Sequence, residues 1–543
     1  MTDTPAAPAR RPRPRVRRND WSGIPDLPAE PSLQVSVVMP AYGRQDNLEL
    51  ALAALAAQTY PEQLFEVIVV DDGSSPPLRL PEIRPANARL VRSPETGWGR
   101  AHACHAGALA ADGDVVHWLD ADMVAFPGEV AAHAAWHHDV DHVVTIGYKR
   151  FVEPVPLDPA MVRAAADDGR LQTLFEHWSR HDWVEEIIDG TDSLRAGDHT
   201  CFRAFVGATG AVRKDFYIKA GGMDTLLHLG EDSELGYRLA QAGAVFVPVP
   251  EALSWHLGLT TAQRQADAVK RYNAPFVTDR MPLPRYRRRA PHRNWSVPLV
   301  DVILDVGDAS YEHGRAAIDA LLASTVSDLR ITLVGPWDAV AVDHRPPLAD
   351  PRLDLRLIRE HVRGESRVRL LPKPPDSVFP AAYRLDLGTR FAVRPSAVQA
   401  LIGRADDQCL GLLRLQADGL SVGRLVRTAA WSRALRVAEP GEDLDAVMAD
   451  VWGAHTLEVG SESLVVDQRA GDPRAVKALV RAAEDADKLR EESGRQRDEA
   501  ARWKREAMRR GYGRPAWRWI PAYVLRRRAR AERTALIRES KPE

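Results

Sequence analysis

The stretch VVHWLDADMVAFP, Val115 to Pro127, decides how the rest of the sequence is interpreted. Its hydrophobic start predicts a short buried strand, and two carboxylates, Asp120 and Asp122, follow directly. In an extended chain, residues two apart point the same way. Paired carboxylates at the end of a strand suit a divalent cation that also holds substrate phosphates, because Mg²⁺ and Mn²⁺ favour such oxygen ligands. A solvated turn is the alternative for an isolated Asp-x-Asp.

Two earlier stretches predict neighbouring strands of the same sheet. Leu33 to Pro40 and Phe65 to Ser75 are nearly all aliphatic until proline or acid follows, and a helix is predicted between them. This order is typical of a parallel sheet covered on both faces. Ligands of such sheets bind beyond the carboxyl ends of the strands. We therefore expect Asp71, Asp72 and the loop 40–44 at the same rim as the paired carboxylates.

Three later features add candidate residues. A glycine turn at Gly97 precedes a small-residue helix, and Arg100 in that turn is a candidate phosphate contact or a plain surface arginine. Glu231 and Asp232 open a predicted helix in GEDSELGYRLAQAG, with more acid than the helix dipole requires. A strand ends at His256, which is a candidate ligand or a structural histidine.

Composition bounds the class of protein. The 543 residues exceed one ordinary core, so two or three domains are expected. Net charge of −2 gives no global reason to bind nucleic acid. The three cysteines are far apart and lack metal spacing, which fits a reducing cytosol without disulfides. No run approaches the roughly 20 apolar residues of a membrane span.

The motifs in order resemble family 2 glycosyltransferases with the GT-A fold. They are PAYGR, VVDDGSS, the glycine turn, LDADMV, AGGMD, GEDSELGYRL and SWH, across about residues 31–260. The resemblance implies a mostly parallel, Rossmann-like α/β catalytic domain. It also implies transfer of a hexose or N-acetylhexosamine from a nucleotide sugar, a UDP-sugar, to a hydroxyl of a glycan or lipid-linked acceptor. Cell-surface polysaccharide or glycoconjugate synthesis is the expected setting.

The resemblance also implies roles for single residues. Asp232, with Glu231 beside it, matches the base that deprotonates the acceptor hydroxyl in inverting members. Mn²⁺ or Mg²⁺ is expected to bind Asp120, Asp122 and His256. The implied donor contacts are Pro40, Ala41, Tyr42, Arg44, Asp71, Asp72, Gly97, Arg100, Asp120 and Ala121.

Alternatives remain at this point. Ala103-Cys104-His105 stands where many relatives carry Ala-Arg-Asn, and residues 230–234 also resemble retaining transferases that place N-acetylgalactosamine on polypeptides. We expect inversion. A sugar nucleotidyltransferase would share the metal acids but needs a Gly-rich, basic loop after the first strand, which PAYGR is not. A non-catalytic scaffold of a glycan-assembly complex would neither hydrolyse a donor nor bind nucleotide with metal.

The second half resembles a degenerate copy of the first. AIDALLAST, 317–325, corresponds to ALAALAAQT, 51–59, and LDLGTRFAV corresponds to LDADMVAFP. Gly335 and Pro336 take the places of Asp71 and Asp72, and Gly388 takes that of Asp122. Loss of the acids predicts a silent GT-A-like domain for packing or acceptor placement. A second active transferase and an unrelated α/β domain are the alternatives.

Domain boundaries follow from composition. We expect a disordered Arg/Pro-rich segment 1–30, a catalytic domain 31–280, a basic linker 281–296 and a degenerate domain 297–465. A charged helix 466–510 and a basic aromatic tail 511–543 complete the chain. Residues 515–530 are expected to lie on an anionic membrane surface, and a plain basic tail or a docking helix for another protein are the alternatives. The expected location is the cytoplasm, with or without attachment to the inner face of the membrane.

Overall fold

The structure is a computed structural model that describes residues 14–24, 30–288, 293–340, 346–417, 419–459 and 465–467. It is a mixed α/β protein with two large sheets, which confirms the predicted fold class. The strands are β1 Val35–Ala41, β2 Phe65–Asp71, β3 Ala88–Arg92, β4 Val115–Leu119, β5 Met123–Ala125, β6 Val143–Val152, β7 Thr209–Arg213, β8 Val245–Leu257, β9 Val300–Asp305, β10 Leu329–Val334, β11 Val368–Leu371, β12 Tyr383–Gly388, β13 Phe391–Val393, β14 Leu412–Ala417, β15 Leu420–Arg427, β16 Ala454–Glu458 and β17 Val465–Asp467. The α-helices are α1 Gln45–Leu55, α2 Arg100–Ala110, α3 Glu129–Ala135, α4 Pro159–Asp167, α5 Asp182–Asp189, α6 Lys214–Lys219, α7 Glu231–Gln241, α8 Thr261–Arg264, α9 Ala266–Arg280, α10 Tyr311–Leu322, α11 Leu353–His361, α12 Ala397–Asp407, α13 Thr428–Val437 and α14 Leu444–Val451. Short 3₁₀ helices cover Trp21–Gly23, Glu62–Leu64, Leu171–Thr173, Cys201–Ala204, Arg285–Arg287, Trp337–Ala339 and Pro347–Ala349.

The first sheet has the order β3-β2-β1-β4-β7-β6-β8-β5. β1 is parallel to β2 and β4, and β2 is parallel to β3. β7 is antiparallel to both of its neighbours, and β6 is parallel to β8. β4 is fully buried and β2 nearly so, because helices cover both faces of the sheet. The carboxyl ends of β1, β2 and β4 therefore meet at one edge.

The second sheet repeats this arrangement. Its order is β11-β10-β9-β12-β15-β14-β16. β9, β10, β11 and β12 run parallel, β15 is antiparallel to both of its neighbours, and β14 is parallel to β16. The short β13 pairs with β17, as the short β5 pairs with the end of β8. Strand order and direction are thus the same in both halves.

Individual pairs confirm the repeat. Val35 of β1 faces Val115 of β4, and Val300 of β9 faces Tyr383 of β12. Shared order, direction and register make an unrelated second fold untenable. The second half is a copy of the first at the level of the backbone.

The predicted correspondence of AIDALLAST with ALAALAAQT is also confirmed. The N–H of Thr59 donates to the carbonyl of Pro127 at 2.8 Å, and the N–H of Thr325 donates to the carbonyl of Pro395 at 2.8 Å. These bonds tie the end of each helix to the chain that follows the fourth strand. They also fix the alignment of the residues after β4 with those after β12.

One predicted correspondence is wrong by two residues. The sequence predicts Gly388 at the position of Asp122. The strand register instead gives Gly388 the position of Asp120, and Arg390 that of Asp122. The predicted alignment was shifted because Leu385-Asp386 has the same residue types as Leu119-Asp120. Leu385-Asp386 lies inside β12, whereas Asp120 follows the end of β4. A basic residue, not glycine, therefore replaces the second acid.

Residues 14–24 contradict the predicted disorder of residues 1–30. Val16 is buried among valines of β6 and β8. Asn19 exchanges two hydrogen bonds with the backbone of Phe246, each 2.8 Å long. The N–H of Arg18 donates to the carbonyl of Val451 in the second half at 2.7 Å. The segment is ordered because a few residues dock among its prolines and arginines, and it joins the two halves.

The predicted basic linker is packed where the structure describes it. Arg288 pairs with Asp328 at 2.6 Å, and Leu283 is buried. Apart from residues 466 and 467, which belong to β17, the predicted helix 466–510 and the tail 511–543 lie outside the described residues. No helix in the described ranges is long and apolar enough to cross a membrane. The domain boundaries stay predictions.

Candidate active site

Asp72 lies at the edge where the parallel strands end, directly after β2. Its Oδ1 accepts a hydrogen bond from the Ser93 hydroxyl at 2.6 Å, and its Oδ2 accepts one from the Gly99 N–H at 2.6 Å. The backbone N–H of Asp72 donates to the carbonyl of Ala41 at 2.9 Å. These bonds hold the end of β2, the end of β1 and the glycine turn before α2 together.

Arg100, the first residue of α2, joins acids from separate segments. Its Nε donates to Asp120 Oδ1 at 2.8 Å, and its Nη1 lies 3.3 Å from Glu231 Oε1. The same guanidinium donates to the carbonyl of Gly207. Asp120 after β4 and Glu231 at the start of α7 therefore converge on one cation, and Arg100 is not a plain surface arginine.

The start of α7 carries three acids in different surroundings. Glu234 forms a two-point ion pair with Arg238, at 2.5 and 2.6 Å, and has a structural role. Glu231 is 8% exposed; its burial and the nearby charge of Asp232 raise its pKa to about 7. Asp232 is partly exposed, and its Oδ2 accepts a hydrogen bond from the Gly207 N–H at 3.2 Å. Asp232 is thus the acid that a second substrate can approach.

Asp122 and His256 face each other across the short strand pair β5 and β8. The Nδ1–H of His256 donates to the carbonyl of Gly258 at 2.9 Å, which leaves Nε2 unprotonated. This Nε2 lies 3.9 Å from Asp122 Oδ1. Burial raises the pKa of Asp122 and lowers the pKa of His256. A neutral imidazole whose other nitrogen is held by a carbonyl has the form of a metal ligand.

Lys149 is a site residue that the sequence did not reveal. It is 5% exposed on β6, and burial lowers its pKa to about 8 against the opposing charges of Asp120, Asp232 and Asp122. The ammonium group therefore belongs to the same electrostatic cluster as the acids. Its signal in the sequence is weak, a single lysine in a mostly buried strand without a motif.

The loop after β1 presents aromatic surface beside the site. Tyr42 is 59% exposed, and its ring lies 5.6 Å from that of Trp98, which is 52% exposed. His228 approaches Trp98 at 6.1 Å. Gly97 is required here, because a Cβ at this position would lie 2.6 Å from His102 Nδ1. Trp98 was not among the predicted donor contacts.

The contacts of the remaining predicted donor residues are local. Arg44 is 60% exposed in its side chain and lies 3.5 Å from Asp46. Asp71 is buried, and hydrogen bonds from the N–H groups of Ser74 and Leu78 outweigh that burial and lower its pKa. Asp71 therefore shapes the turn after β2. Pro40 lies in β1, and Ala121 packs against the core cluster beneath the rim.

A second aromatic group leads away from the metal candidates. The ring of Phe151 lies 4.9 Å from His256 and 5.4 Å from His181. His181 in turn lies 5.2 Å from Trp183, which is 48% exposed. Trp178, 51% exposed, stacks with Arg150 at 5.2 Å. These residues form an open aromatic surface next to the acids.

Part of the first half matches a known protein family. Residues 36–193 match the model of glycosyl transferase family 2. This part of the chain is a family 2 glycosyltransferase domain. The matched range includes Asp72, Arg100, Asp120 and Asp122, whereas the acids of α7 and His256 lie beyond it. The predicted family is confirmed.

Curated glycosyltransferases align with more of the chain. It is 26% identical over 381 residues to the hyaluronan synthase of Pasteurella multocida, covering 65% of this chain and 37% of that protein. The chondroitin synthase of Pasteurella multocida strain Pm70 is 25% identical over the same length and shares. The chain therefore spans little more than a third of these relatives. The uncharacterized glycosyltransferase YfnE of Bacillus subtilis strain 168 is 26% identical over 278 residues, covering 46% of this chain and 70% of that protein.

Among solved structures, the mannosyltransferase PcManGT from Pyrobaculum calidifontis, in complex with GDP-Man and Mn²⁺, is similar to part of the chain. The identity is 18%, the TM-score is 0.30, and 49% of this chain and 69% of that chain are covered.

Proposed function

We propose that this protein transfers a sugar from a nucleotide sugar, a UDP-sugar, to a hydroxyl of a glycan or lipid-linked acceptor, with inversion and with Mn²⁺ or Mg²⁺. The observation that carries the proposal is the position of Arg100 between Asp120 and Glu231, which joins acids of separate segments at one rim. The sugar is a hexose or an N-acetylhexosamine. Relatives named as polysaccharide synthases support a role in cell-surface polysaccharide synthesis.

The residues present fit a divalent cation. Asp120 and Asp122 offer carboxylate oxygens, and His256 offers an unprotonated Nε2 whose ring is held by the carbonyl of Gly258. When bound, such an ion supplies positive charge to the diphosphate leaving group. Arg100 and Lys149 add charges of the chain's own at the same place. On donor binding, Arg100 can exchange its contact with Asp120 for a phosphate oxygen.

Asp232 is the proposed general base. Its Oδ2 is held by the Gly207 N–H, and its side chain remains partly open, so it can accept the proton of an acceptor hydroxyl. Glu231 lies deeper against Arg100 and positions the rim. The donor base or ribose is proposed to contact Asp72 and the exposed rings of Tyr42 and Trp98.

The acceptor is proposed to lie on the aromatic surface formed by Trp178 and Trp183. Both rings are about half exposed, and ring contacts through Phe151 and His181 connect Trp183 to His256. Sugar rings present apolar C–H faces that pack on exposed aromatic rings. This surface therefore favours a glycan acceptor that extends away from the metal.

The decisive experiment screens the full chain against nucleotide sugars for Mn²⁺-dependent release of nucleotide. The proposal predicts release that EDTA abolishes and Asp122→Ala eliminates, and NMR of the product should show an inverted anomeric centre. Asp112→Asn, whose side chain is 90% exposed, is the matched control and should keep wild-type release. Release that survives both EDTA and Asp122→Ala would refute the metal role, and a retained anomeric configuration would refute inversion.

A further inference from the structure

A second polar cluster lies between α3 and the first sheet, on β4 upstream of the catalytic acids. It consists of His117, Glu129 and His133, each fully buried. Glu129 Oε1 lies 3.6 Å from His133 Nε2 and 3.9 Å from His117 Nε2. Two ligands of a tetrahedral metal are separated by about 3.4 Å, so small side-chain shifts suffice to close these distances. The proposed mechanism does not use these residues.

The tautomer of His117 is fixed by the backbone. Its Nδ1–H donates to the carbonyl of Gly210 at 3.2 Å. Its Nε2 is therefore an acceptor, and this atom is buried without a hydrogen-bond partner. Glu129 Oε1 accepts a hydrogen bond from the Thr209 hydroxyl, but no donor lies between this oxygen and the lone pair of His117 Nε2. Two electron-rich atoms face each other there, which is unfavourable unless a positive charge lies between them.

The outer contacts of the other two residues also suit metal ligands. His133 Nδ1 lies 2.8 Å from Thr145 Oγ1, whose hydroxyl donates to the carbonyl of Ala211 at 3.3 Å, so Nδ1 carries the proton. The Ser254 hydroxyl donates to Glu129 Oε2 at 3.0 Å. Metal-binding histidines and carboxylates are held by such outer hydrogen bonds.

The buried negative charge of Glu129 also favours a bound cation. Glu129 is fully buried, and among the described residues no arginine or lysine forms an ion pair with it. Burial of a carboxylate without compensation is strongly unfavourable. The hydroxyls of Thr209 and Ser254 donate to the Glu129 carboxylate, but neither group carries a positive charge.

The second half provides an internal control. The strand register and the helix positions give the places of His117, Glu129, His133 and Thr145 to apolar residues. These residues are Leu385, Ala397, Leu401 and Leu413, all buried. The fold therefore packs this position with hydrocarbon and does not need polar groups there. Their presence in the first half requires another reason.

Space for the cluster depends on Gly147. A Cβ at this position would lie 2.5 Å from Thr209 Oγ1 and 3.0 Å from His133 Nε2. The second half has Leu415 at the corresponding place in β14. Glycine at this position and the polar cluster thus occur together in the first half, and both are replaced by apolar residues in the second.

We propose that His117, Glu129 and His133 bind one transition-metal ion of the Zn²⁺ type. Two imidazole nitrogens and one carboxylate oxygen select Zn²⁺ over Mg²⁺ or Mn²⁺, which favour oxygen ligands. The site fastens α3 to β4, and it lies about 10 Å along the strand from Asp120 at about 3.3 Å per residue. It is separate from the exchangeable catalytic ion, and the inference does not rest on the proposed function.

The alternative to a bound metal ion is an additional proton on His133. In that case His133 is an imidazolium whose Nε2–H points to Thr209 Oγ1 at 3.1 Å, and the ion pair with Glu129 balances the charge. The two alternatives differ in metal content, so an elemental measurement separates them.

The test is metal analysis of the full chain, expressed with added Zn²⁺ and dialysed against EDTA under conditions that remove Mn²⁺. Wild type should keep about one Zn²⁺ per chain, because all three ligands are fully buried and exchange of the ion is slow. The variant H117L/E129A/H133L takes its residues from the second half, so it should fold and contain no Zn²⁺. His142→Leu removes another buried histidine and is the matched control, which should keep the ion.

Two outcomes would overturn the proposal. Wild type without Zn²⁺ above background would mean that the cluster holds a protonated His133 and no metal ion. Equal Zn²⁺ in wild type and in the triple variant would place the ion elsewhere. If the triple variant fails to fold, Co²⁺ reconstitution of wild type decides, because a tetrahedral His₂Glu site should give intense visible absorption and its absence would refute the site.

Discussion

The two halves of the molecule share strand order and strand direction, but they carry different side chains at the edge where the parallel strands end. Where the first sheet ends in Asp71 and Asp72, the second has Gly335 and Pro336, as the sequence predicted. Between β6 and β7 the first half inserts residues 153–208, whereas two residues separate β14 from β15. This difference shows that the aliphatic strands determine the fold, whereas a few rim residues and one insertion provide the proposed chemistry.

The largest expected effect comes from matched substitutions at corresponding positions. Asp122→Ala should lower Mn²⁺-dependent transfer on the order of 10³-fold, because it removes a ligand of the ion that balances the leaving group. Arg390→Ala, at the corresponding place in the second half, should leave transfer near wild type. Steady-state rates measure both. Equal losses of transfer in the two variants would contradict the proposal that the second half is catalytically silent.

The next effect separates base from metal in the first half. Asp232→Asn should reduce transfer by about 10²-fold, within the usual contribution of a general base, while donor affinity stays nearly unchanged. Calorimetric titration with UDP and Mn²⁺ beside the rate assay provides the comparison. Loss of donor binding together with transfer would argue that Asp232 organises the donor site instead.

A third prediction concerns the buried acid Glu231 in the first turn of α7; in the second half, Asp445 in the first turn of α14 is instead paired with Arg414 and Arg424. The folded pKa of Glu231, about 7, lies above its unfolded value, so wild type loses stability as pH rises between the two. Glu231→Gln should therefore stabilise the protein by about 3 kcal/mol more at about pH 8 than at about pH 5. Denaturant unfolding in EDTA measures this difference.

An equal gain at both pH values would show that Glu231 does not titrate in this window.

The smallest expected effect tests the insertion. Trp183→Ala should raise KM for the acceptor about fivefold and leave donor hydrolysis unchanged, because one ring contact is worth about 1 kcal/mol. Trp98→Ala, on the donor side, should instead weaken nucleotide binding. Initial rates at varied donor and acceptor distinguish the two. If the Trp183 variant changes only the KM for the donor, the acceptor binds at another surface.

The sequence predicted features that leave periodic or ordered signals. Aliphatic runs predicted β1, β2 and β4, and the acids that follow predicted one rim, where Arg100 indeed joins Asp120 to Glu231. The repeat was visible because its helix and strand patterns persist. Its alignment failed at Gly388, since a Leu-Asp pair inside a strand imitates the one at the strand end.

Other features depend on tertiary neighbours and leave no such signal. Lys149 and Glu129 are single polar residues in buried elements, and their partners come from distant segments. The order of residues 14–24 depends on Val16 and Asn19 docking against β8, which an Arg/Pro composition conceals. In each case the deciding contact lies beyond the range of local pattern.

Binding stoichiometry tests the central claim most directly. Titration of the full chain with UDP in the presence of Mn²⁺ should show about one site per chain, since the acids and their cation-binding geometry exist in the first half. Asp122→Ala should remove that site, and Arg390→Ala should leave it intact. Two sites per chain, or one site that survives Asp122→Ala, would contradict the account.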